Sequence, residues 1–289
     1  MTPLRQRMIE ELQRRNYSKA TIESYIFSVK DFAEHFHKSP DRLGAEEVRQ
    51  YQLYLTNEKR LAAQTVKVRM SALRFFYWKT LKRRDIYFDD LPIPKTPKTL
   101  PTVLSPEEVV RLIQAASSLM HRTILILLYA TGIRRAELRW LKVGDIDSQR
   151  MVIHIEQGKG QRDRDMPMTP IVLELLREHW RHTKSRVYMF PSPLVPDKPI
   201  SSKTVWNVVH EAAVRAGMTK RIGPHTLRHS FATHHIEGGT DLLVLQSLLG
   251  HAELKNTLVY VHLSQHRMRA AVNPLDRLTL QSPPDSVQS

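Results

Sequence analysis

The chain contains no cysteine. Disulfide staples, thiolate metal sites and cysteine nucleophiles are therefore excluded, and a reducing compartment fits. Long apolar runs are missing as well. The longest, Thr123 to Ala130, falls far short of the roughly 20 residues that a membrane helix needs. The opening MTPLRQRMIEE lacks the apolar block of a secretory signal, so a cytoplasmic protein with no membrane partner is expected. Self-similarity at the 20–50-residue periods of solenoids is absent too. The scarce sign of charge is negative: 29 Asp plus Glu face 44 Lys plus Arg, leaving +15 before any of the 14 histidines protonates.

A surplus of that size points to a polyanionic partner, most simply nucleic acid. With 289 residues, 41% of them hydrophobic, the chain has length and apolar content for two globular domains. The basic surplus is denser in residues 1–100, which carry 20 basic and 12 acidic residues. LPIPKTPKTLP, residues 91–101, holds four prolines and two lysines and has no helical period, so it reads as a semi-extended linker. The expected division is a helical domain over 1–88, a Pro/Lys-rich linker over 89–103, a second domain over 104–280 and a disordered tail over 281–289.

Apolar residues before the linker step by three and four. Ile22, Tyr25, Ile26, Val29, Phe32, Ala33 and Phe36 form one stripe, with Ser18 as its N-cap. A second helix is predicted over Ala45 to Leu55. A third starts after Gln64, with Val66, Met70, Leu73, Tyr77 and Leu81 as its buried edge. Off that edge lie Lys67, Arg69, Arg74, Lys79 and Lys82, and no acidic residue interrupts between Leu61 and Arg84. A solvated helix face would mix signs to form i,i+4 pairs. These five residues are therefore candidate DNA contacts, although a simply solvated face is the alternative.

Beyond the linker, Ser105-Pro106 followed by Glu108 forms a capping-box signature. Thr123 to Ala130 is apolar on all sides, as for a helix in a domain centre, and stops at Thr131–Gly132. Arg134 is expected to begin the next short helix. MVIHIE, QGKGQ and RDRDMPM read as strand, glycine turn and return strand. Helices are predicted over 171–182, 202–216, 225–237, 241–249 and 254–263. The fold class is mainly α with a small β-hairpin or sheet (α+β): an N-terminal helical bundle followed by a larger mixed domain.

Four patches carry chemistry, each with a bland alternative. Arg134 in TGIRRAEL, beside a buried helix, needs an anion, either Glu137 or a ligand phosphate. Lys159 at the tip of GKG is a solvated hairpin lysine or a mobile ammonium for a leaving oxygen. In PHTLRHSFATHH, His225, Arg228 and His229 share a helical face. The cation inside that pattern disfavours zinc and suits a phosphate, so no metal or other cofactor is expected. In LLGHAELKNTLVYVHL, His251 precedes Tyr260, which is core filler or a nucleophile whose pKa neighbouring cations lower or whose proton they take as it attacks. Asp163 and Asp165 are expected to pair locally with Arg162 and Arg164, which leaves little for a metal-dependent nuclease.

TGIRRAEL, GKGQRDRDMP, HTLRHSFATH and LGHAELKNTLVYVHL, in this order and spacing, resemble the motif set of the tyrosine recombinases, the phage-integrase superfamily that includes Xer-type enzymes. Residues 3–88 resemble that family's helical, SAM-like core-binding domain. The resemblance implies a C-terminal tyrosine-recombinase catalytic domain and a two-domain clamp on duplex DNA. It assigns Arg134, Lys159, His225, Arg228, His251 and the nucleophile Tyr260 as catalytic. It further implies strand cleavage through a 3′-phosphotyrosine, without metal or ATP, on paired inverted sites in double-stranded DNA. A homo-tetramer on synapsed DNA is implied, with a monomer one option in solution and Met268, Ala271, Val272 and Leu275 packing on a neighbour. Asn256 and Ala136 stand where the family commonly has threonine and serine, neither at a catalytic position. Alternatives are a DNA-binding regulator or architectural protein without catalysis, and a strand-relaxing enzyme like the type IB topoisomerases. The target sequence, the origin of the element, integration against excision, and accessory proteins are not encoded in these motifs.

Overall fold

The computed structural model describes residues 2–84, 88, 101–156 and 163–263. The chain divides into two compact units, residues 1–99 and 100–289. Most of the proline-rich segment, the GKG turn with Lys159, and everything after residue 263 lie outside the described residues. No described helix is long and apolar enough to cross a membrane.

The first unit is a helical bundle of α1 (Pro3–Arg14), α2 (Lys19–Phe36), α3 (Ala45–Leu53) and α4 (Ala63–Phe75), with π-helical turns over Tyr54–Glu58 and Phe76–Thr80. Local chemistry sets the starts. The Ser18 hydroxyl accepts the Thr21 N–H at 3.2 Å, and the Glu47 carboxylate accepts the Gly44 N–H at 2.8 Å. Phe32, Val48, Tyr51, Val66, Met70, Leu73, Phe76 and Tyr77 fill the core. Phe32 packs edge-on against Phe36 and Tyr51 at 5.4 and 5.1 Å between centroids.

The basic face of α4 is split by tertiary contacts. Lys67, Arg74, Lys79 and Lys82 are exposed, with the Arg74 guanidinium 5.5 Å over the Trp78 ring. Arg69 instead turns inward. It donates to Asp31 at 2.6 Å and to the Tyr51 hydroxyl at 3.1 Å, and its guanidinium lies 4.8 Å over Phe27. Tyr51 also donates to Asp31, and burial followed by that carboxylate raises its phenol pKa. Asp31 is 38 positions away from Arg69, so the expectation that groups Arg69 with the exposed cations is revised by a partner that helical spacing cannot reveal.

The second unit runs α5 (Pro106–Gln114), α6 (Leu119–Thr131), α7 (Arg135–Trp140), β1 (Ile146–Asp147), β2 (Val152–Ile155), β3 (Arg164–Pro167), α8 (Pro170–Thr183), α9 (Ser202–Arg215), α10 (Pro224–Glu237), α11 (Leu242–Leu249) and α12 (Lys255–Leu263). The predicted capping box is present: Ser105 accepts the Glu108 N–H at 3.2 Å and Glu108 accepts the Ser105 N–H at 2.8 Å. The sheet is antiparallel in the order β1-β2-β3, with Ile153 opposite both Ile146 and Met166. Strand β1, two residues long, is an addition to the predicted hairpin. Arg134 proves to be the N-cap of α7 rather than its first residue.

Helix α6 is the centre of the core, with Ile124, Leu125, Leu127 and Leu128 buried. It ends at Gly132, whose φ is +57°. A Cβ there would meet the Phe231 ring of α10 at 2.5 Å, so both the left-handed turn and the close approach require glycine. That turn points the chain toward Arg134.

Replacing Asp31 with alanine leaves Arg69 and the Tyr51 hydroxyl without their shared acceptor. We expect the Asp31→Ala protein to lose about 2 kcal/mol of unfolding free energy in urea titrations. Glu34→Ala removes an exposed 3.3 Å pair with Lys30 and should stay within about 0.5 kcal/mol of the parent.

Candidate active site

The site gathers around the C-terminus of α11. Gly250, at φ +61°, caps that helix, and the N–H groups of Gly250 and His251 bond back to Ser247 and Gln246. The next three carbonyls each accept from an arginine. Leu248 takes Arg164 Nε at 2.8 Å, Leu249 takes Arg228 Nη2 at 2.7 Å, and Gly250 takes Arg134 Nη2 at 3.2 Å. Helix-terminal carbonyls need donors and favour cations, and here both needs are met by the same groups.

Glu137 ties two of these arginines together. Its carboxylate accepts Arg134 Nη1 at 2.6 Å, the Arg134 backbone N–H at 2.9 Å and Arg164 Nη2 at 2.8 Å. Burial works to raise its pKa, but the hydrogen bond and charge of Arg164, then Arg134, hold it down to about 2. Arg134 therefore has the salt bridge that one sequence reading foresaw. Arg164 departs from expectation. It does not pair locally with the hairpin aspartates but lies on the buried face of β3 with Met166, while Asp165 bonds outward to His154 at 2.8 Å and Arg150 at 3.3 Å. Period-two alternation in RDRDMPM carries that signal, since residues 164 and 166 share a face.

Arg228 is 4% exposed on α10. Its described partners are neutral: the Gly132 carbonyl, the Leu249 carbonyl and His251 Nε2 at 3.0 Å. Burial, then repulsion from Arg134, lowers its pKa to about 10. Because guanidinium can only donate, His251 Nε2 must accept, so its proton resides on Nδ1 and goes to Thr257 Oγ1 at 2.9 Å. Burial, then the charge of Arg228 and Arg134, holds the His251 pKa at about 4.

Tyr260 on α12 is 4% exposed and packs with Phe231, Ala232, Ile236, Leu245 and Leu249. Its hydroxyl lies 3.2 Å from His229 Nδ1, and its ring is parallel to that of His251 with centroids 6.4 Å apart. Burial raises the phenol pKa, and Arg228, then Arg134, oppose that only in part. Of the two routes open to a tyrosine nucleophile, pre-ionisation by cations is the one this balance disfavours. His225, at the start of α10, keeps part of its ring exposed, and partial desolvation, then Arg228, Arg135 and Arg134, lower its pKa.

The fold thus brings Arg134, Arg228, His251 and Tyr260 together, with His225 one turn from His229 at 6.4 Å between ring centroids. Glu137, Arg164, His229 and Thr257 join them, none of which the motif reading placed in the site set. Lys159 lies outside the described residues.

Comparison with known proteins identifies the family. Residues 102–267 match the Phage integrase family, and residues 4–85 match its N-terminal SAM-like domain. The y4qK protein of Sinorhizobium fredii, provisionally named an integrase/recombinase, is 43% identical over 98% of this chain and 92% of its own. Tyrosine recombinase XerA of Pyrococcus furiosus is 34% identical, covering 93% of this chain and 94% of its own. The crystal structure of XerH site-specific recombinase bound to its palindromic difH substrate, a post-cleavage complex, superposes with a TM-score of 0.73 at 23% identity. That likeness covers 91% of this chain and 82% of the other, and shows the same fold. The chain belongs to the phage integrase family, the tyrosine recombinases. It is accordingly a site-specific DNA recombinase/integrase, an enzyme of DNA strand cleavage and exchange.

Stability should report the cluster's protonation in two separate pH ranges. His229 and His251, both held at about 4 in the fold, regain an ordinary value near 6.5 when unfolded. Between those values the unfolded chain binds protons that the folded one does not, so stability falls as pH drops from about 6.5 to 4. Glu137 has the opposite charge type: its contribution is complete above about 4.5 and is lost toward 2. In urea unfolding at stepped pH, His251→Gln should flatten the upper limb. Glu137→Gln should flatten the lower one and cost roughly 3 kcal/mol at pH 7.

Proposed function

We propose that Tyr260 is the nucleophile and that Arg134, Lys159, His225, Arg228 and His251 serve one scissile phosphate. A single observation carries this reading. Arg228 is a buried cation whose described partners are all neutral, set 3.0 Å from His251 and against the Tyr260 phenol. Buried charges are normally paired with opposite charge, so such a site favours an arriving anion. Arg228 and Arg134 would hold the non-bridging oxygens as charge develops on them. His251 and His225, both with lowered pKa values, would approach as neutral imidazoles.

In this reading the Tyr260 oxygen bonds to phosphorus, the P–O5′ bond breaks, and Lys159 protonates the leaving oxygen. The resulting 3′-phosphotyrosine is later attacked by a 5′ hydroxyl of the partner strand, so no bond energy from ATP is required. The proposed division is a core-binding domain over 1–88 and a catalytic domain over 104–280; the family matches and the two compact units support it. Paired inverted sites and a homo-tetramer on synapsed DNA belong to the same proposal, as does a cytoplasmic location. Lys67, Arg74, Lys79 and Lys82 are proposed as phosphate contacts, since their side chains are exposed. Arg69, held by Asp31, is withdrawn from that set.

A nicked suicide duplex, built on the site recovered from wild-type covalent adducts with sheared host DNA, tests the chemistry in EDTA. We expect a protein–DNA adduct at Tyr260, none with Tyr260→Phe, and adduct formation slowed about 10²–10³-fold by Arg228→Ala. Lys159→Ala should be slow on ordinary DNA and recover on a bridging 5′-phosphorothiolate, whose sulfur leaves without an acid. An adduct that forms only with magnesium, or one on Tyr260→Phe, would sink the assignment.

Binding titrations against salt test the N-terminal face. Each of Lys67→Ala, Arg74→Ala, Lys79→Ala and Lys82→Ala should reduce the slope of log K against log salt by about one. Arg69→Met should leave that slope unchanged while lowering stability.

A further inference from the structure

The proton of Tyr260 needs a destination. The phenol is buried, and burial works against its ionisation. Three histidines stand nearby, and their geometry separates them. The Nε2 of His251 accepts from Arg228, and its other nitrogen carries the proton donated to Thr257, so neither nitrogen can receive one from the phenol. His225 is exposed on the open face one turn away. His229 presents Nδ1 to the Tyr260 hydroxyl at 3.2 Å.

That contact is built into the packing of α10 on α12. Phe231, Ala232 and Ile236 on α10 form one buried cluster with Tyr260, which fixes the phenol against the turn that carries His229. His229 is half-buried, and burial, then the neighbouring His225 and Arg228, hold its pKa at about 4. In its Nε2–H tautomer the neutral imidazole presents Nδ1 as the acceptor for the phenol proton.

We propose that His229 is the base that takes the Tyr260 proton during strand cleavage and returns it during rejoining, a role distinct from those of His225 and His251. The assignment rests on Tyr260 being the nucleophile. As the Oη–P bond forms, the phenol proton passes to His229 Nδ1, while the P–O5′ bond breaks and the 5′ oxygen takes its proton from Lys159. In rejoining, the 5′ oxygen attacks and returns its proton to Lys159, and the imidazolium reprotonates the departing Tyr260 oxygen. Two features offset the weak basicity of His229. The phenol becomes strongly acidic as its oxygen bonds to phosphorus, and a phosphate anion entering beside His225, Arg228 and Arg134 favours the imidazolium. The same low resting pKa keeps the enzyme from holding the proton, as reversible exchange requires.

The test uses single-turnover adduct formation by the full-length protein on the nicked suicide duplex. His229→Ala should slow the reaction about 10²–10⁴-fold. A 5′-phosphorothiolate, which bypasses only the leaving-group acid, should not restore it. Raising the pH, or placing a fluorinated tyrosine at position 260 so that the phenol ionises unaided, should. An unchanged rate in His229→Ala overturns the proposal. So does a slow rate that neither raised pH nor the fluorinated phenol relieves, because that pattern is structural damage. Absence of any wild-type adduct, or an adduct on Tyr260→Phe, strikes the nucleophile assignment itself and takes this one with it. A DNA-free measurement stands beside these: ¹⁵N spectra at neutral pH should find His229 protonated on Nε2 with Nδ1 accepting, and a proton on Nδ1 would refute the role.

Discussion

Three arginines converging on the end of one short helix hold the catalytic unit in its working shape. Arg164 comes from β3, Arg228 from α10 and Arg134 from the cap of α7, and each donates to one of three successive carbonyls of residues 248–250. Without those donors the last turn of α11 would carry buried, unsatisfied acceptors, and without that turn three guanidinium groups would lie close together with a single carboxylate, Glu137, among their described partners. The helix dipole and the arginines solve one another's problem. His251 follows directly on this turn, and Tyr260 packs against its Leu245 and Leu249, so the position of both depends on the same junction.

The second constraint is steric. Gly132 ends α6 in a left-handed turn with no room for a side chain beside Phe231, and its carbonyl accepts from Arg228. One glycine therefore sets the approach of α6 to α10, gives Arg228 a neutral acceptor, and aims the chain at Arg134 two residues later. A larger residue would disturb both arginines through the backbone without touching either directly.

Much of this was legible in the sequence because the signals are local. Caps at Ser18 and Ser105, the apolar block from Thr123 to Ala130, and the glycine stops at Gly132 and Gly250 all act within a few residues. The shared face of His225 with Arg228 and His229 follows from helical spacing alone. What local spacing could not convey were partners far along the chain. Arg69 and Arg164 look like free surface cations until Asp31, Glu137 and Leu248 are brought beside them. His229 stayed outside the site set for a related reason: its claim depends on Tyr260, 31 residues on, meeting one of its two nitrogens. Motif resemblance pointed to the candidate site, but only tertiary packing shows which histidine nitrogen meets the Tyr260 hydroxyl.

The electrostatic character of the resting site then follows from its composition. Burial foremost, and then the cationic surroundings, lower the proton affinity of these histidines, so His225, His229 and His251 are neutral near pH 7 and add no further positive charge. Glu137 offsets part of the cationic field at Arg134 and Arg164, but Arg228 keeps only neutral described partners. Binding a phosphodiester would relieve that imbalance and would at the same time raise the basicity of the imidazole beside Tyr260. Proton acceptance is in this way coupled to the arrival of the phosphate: with the site empty, the low pKa of His229 and the raised pKa of Tyr260 both keep the proton on the phenol. On the proposed assignment, a tyrosine activated only by its own substrate would keep its proton, and its low reactivity, between rounds of strand exchange.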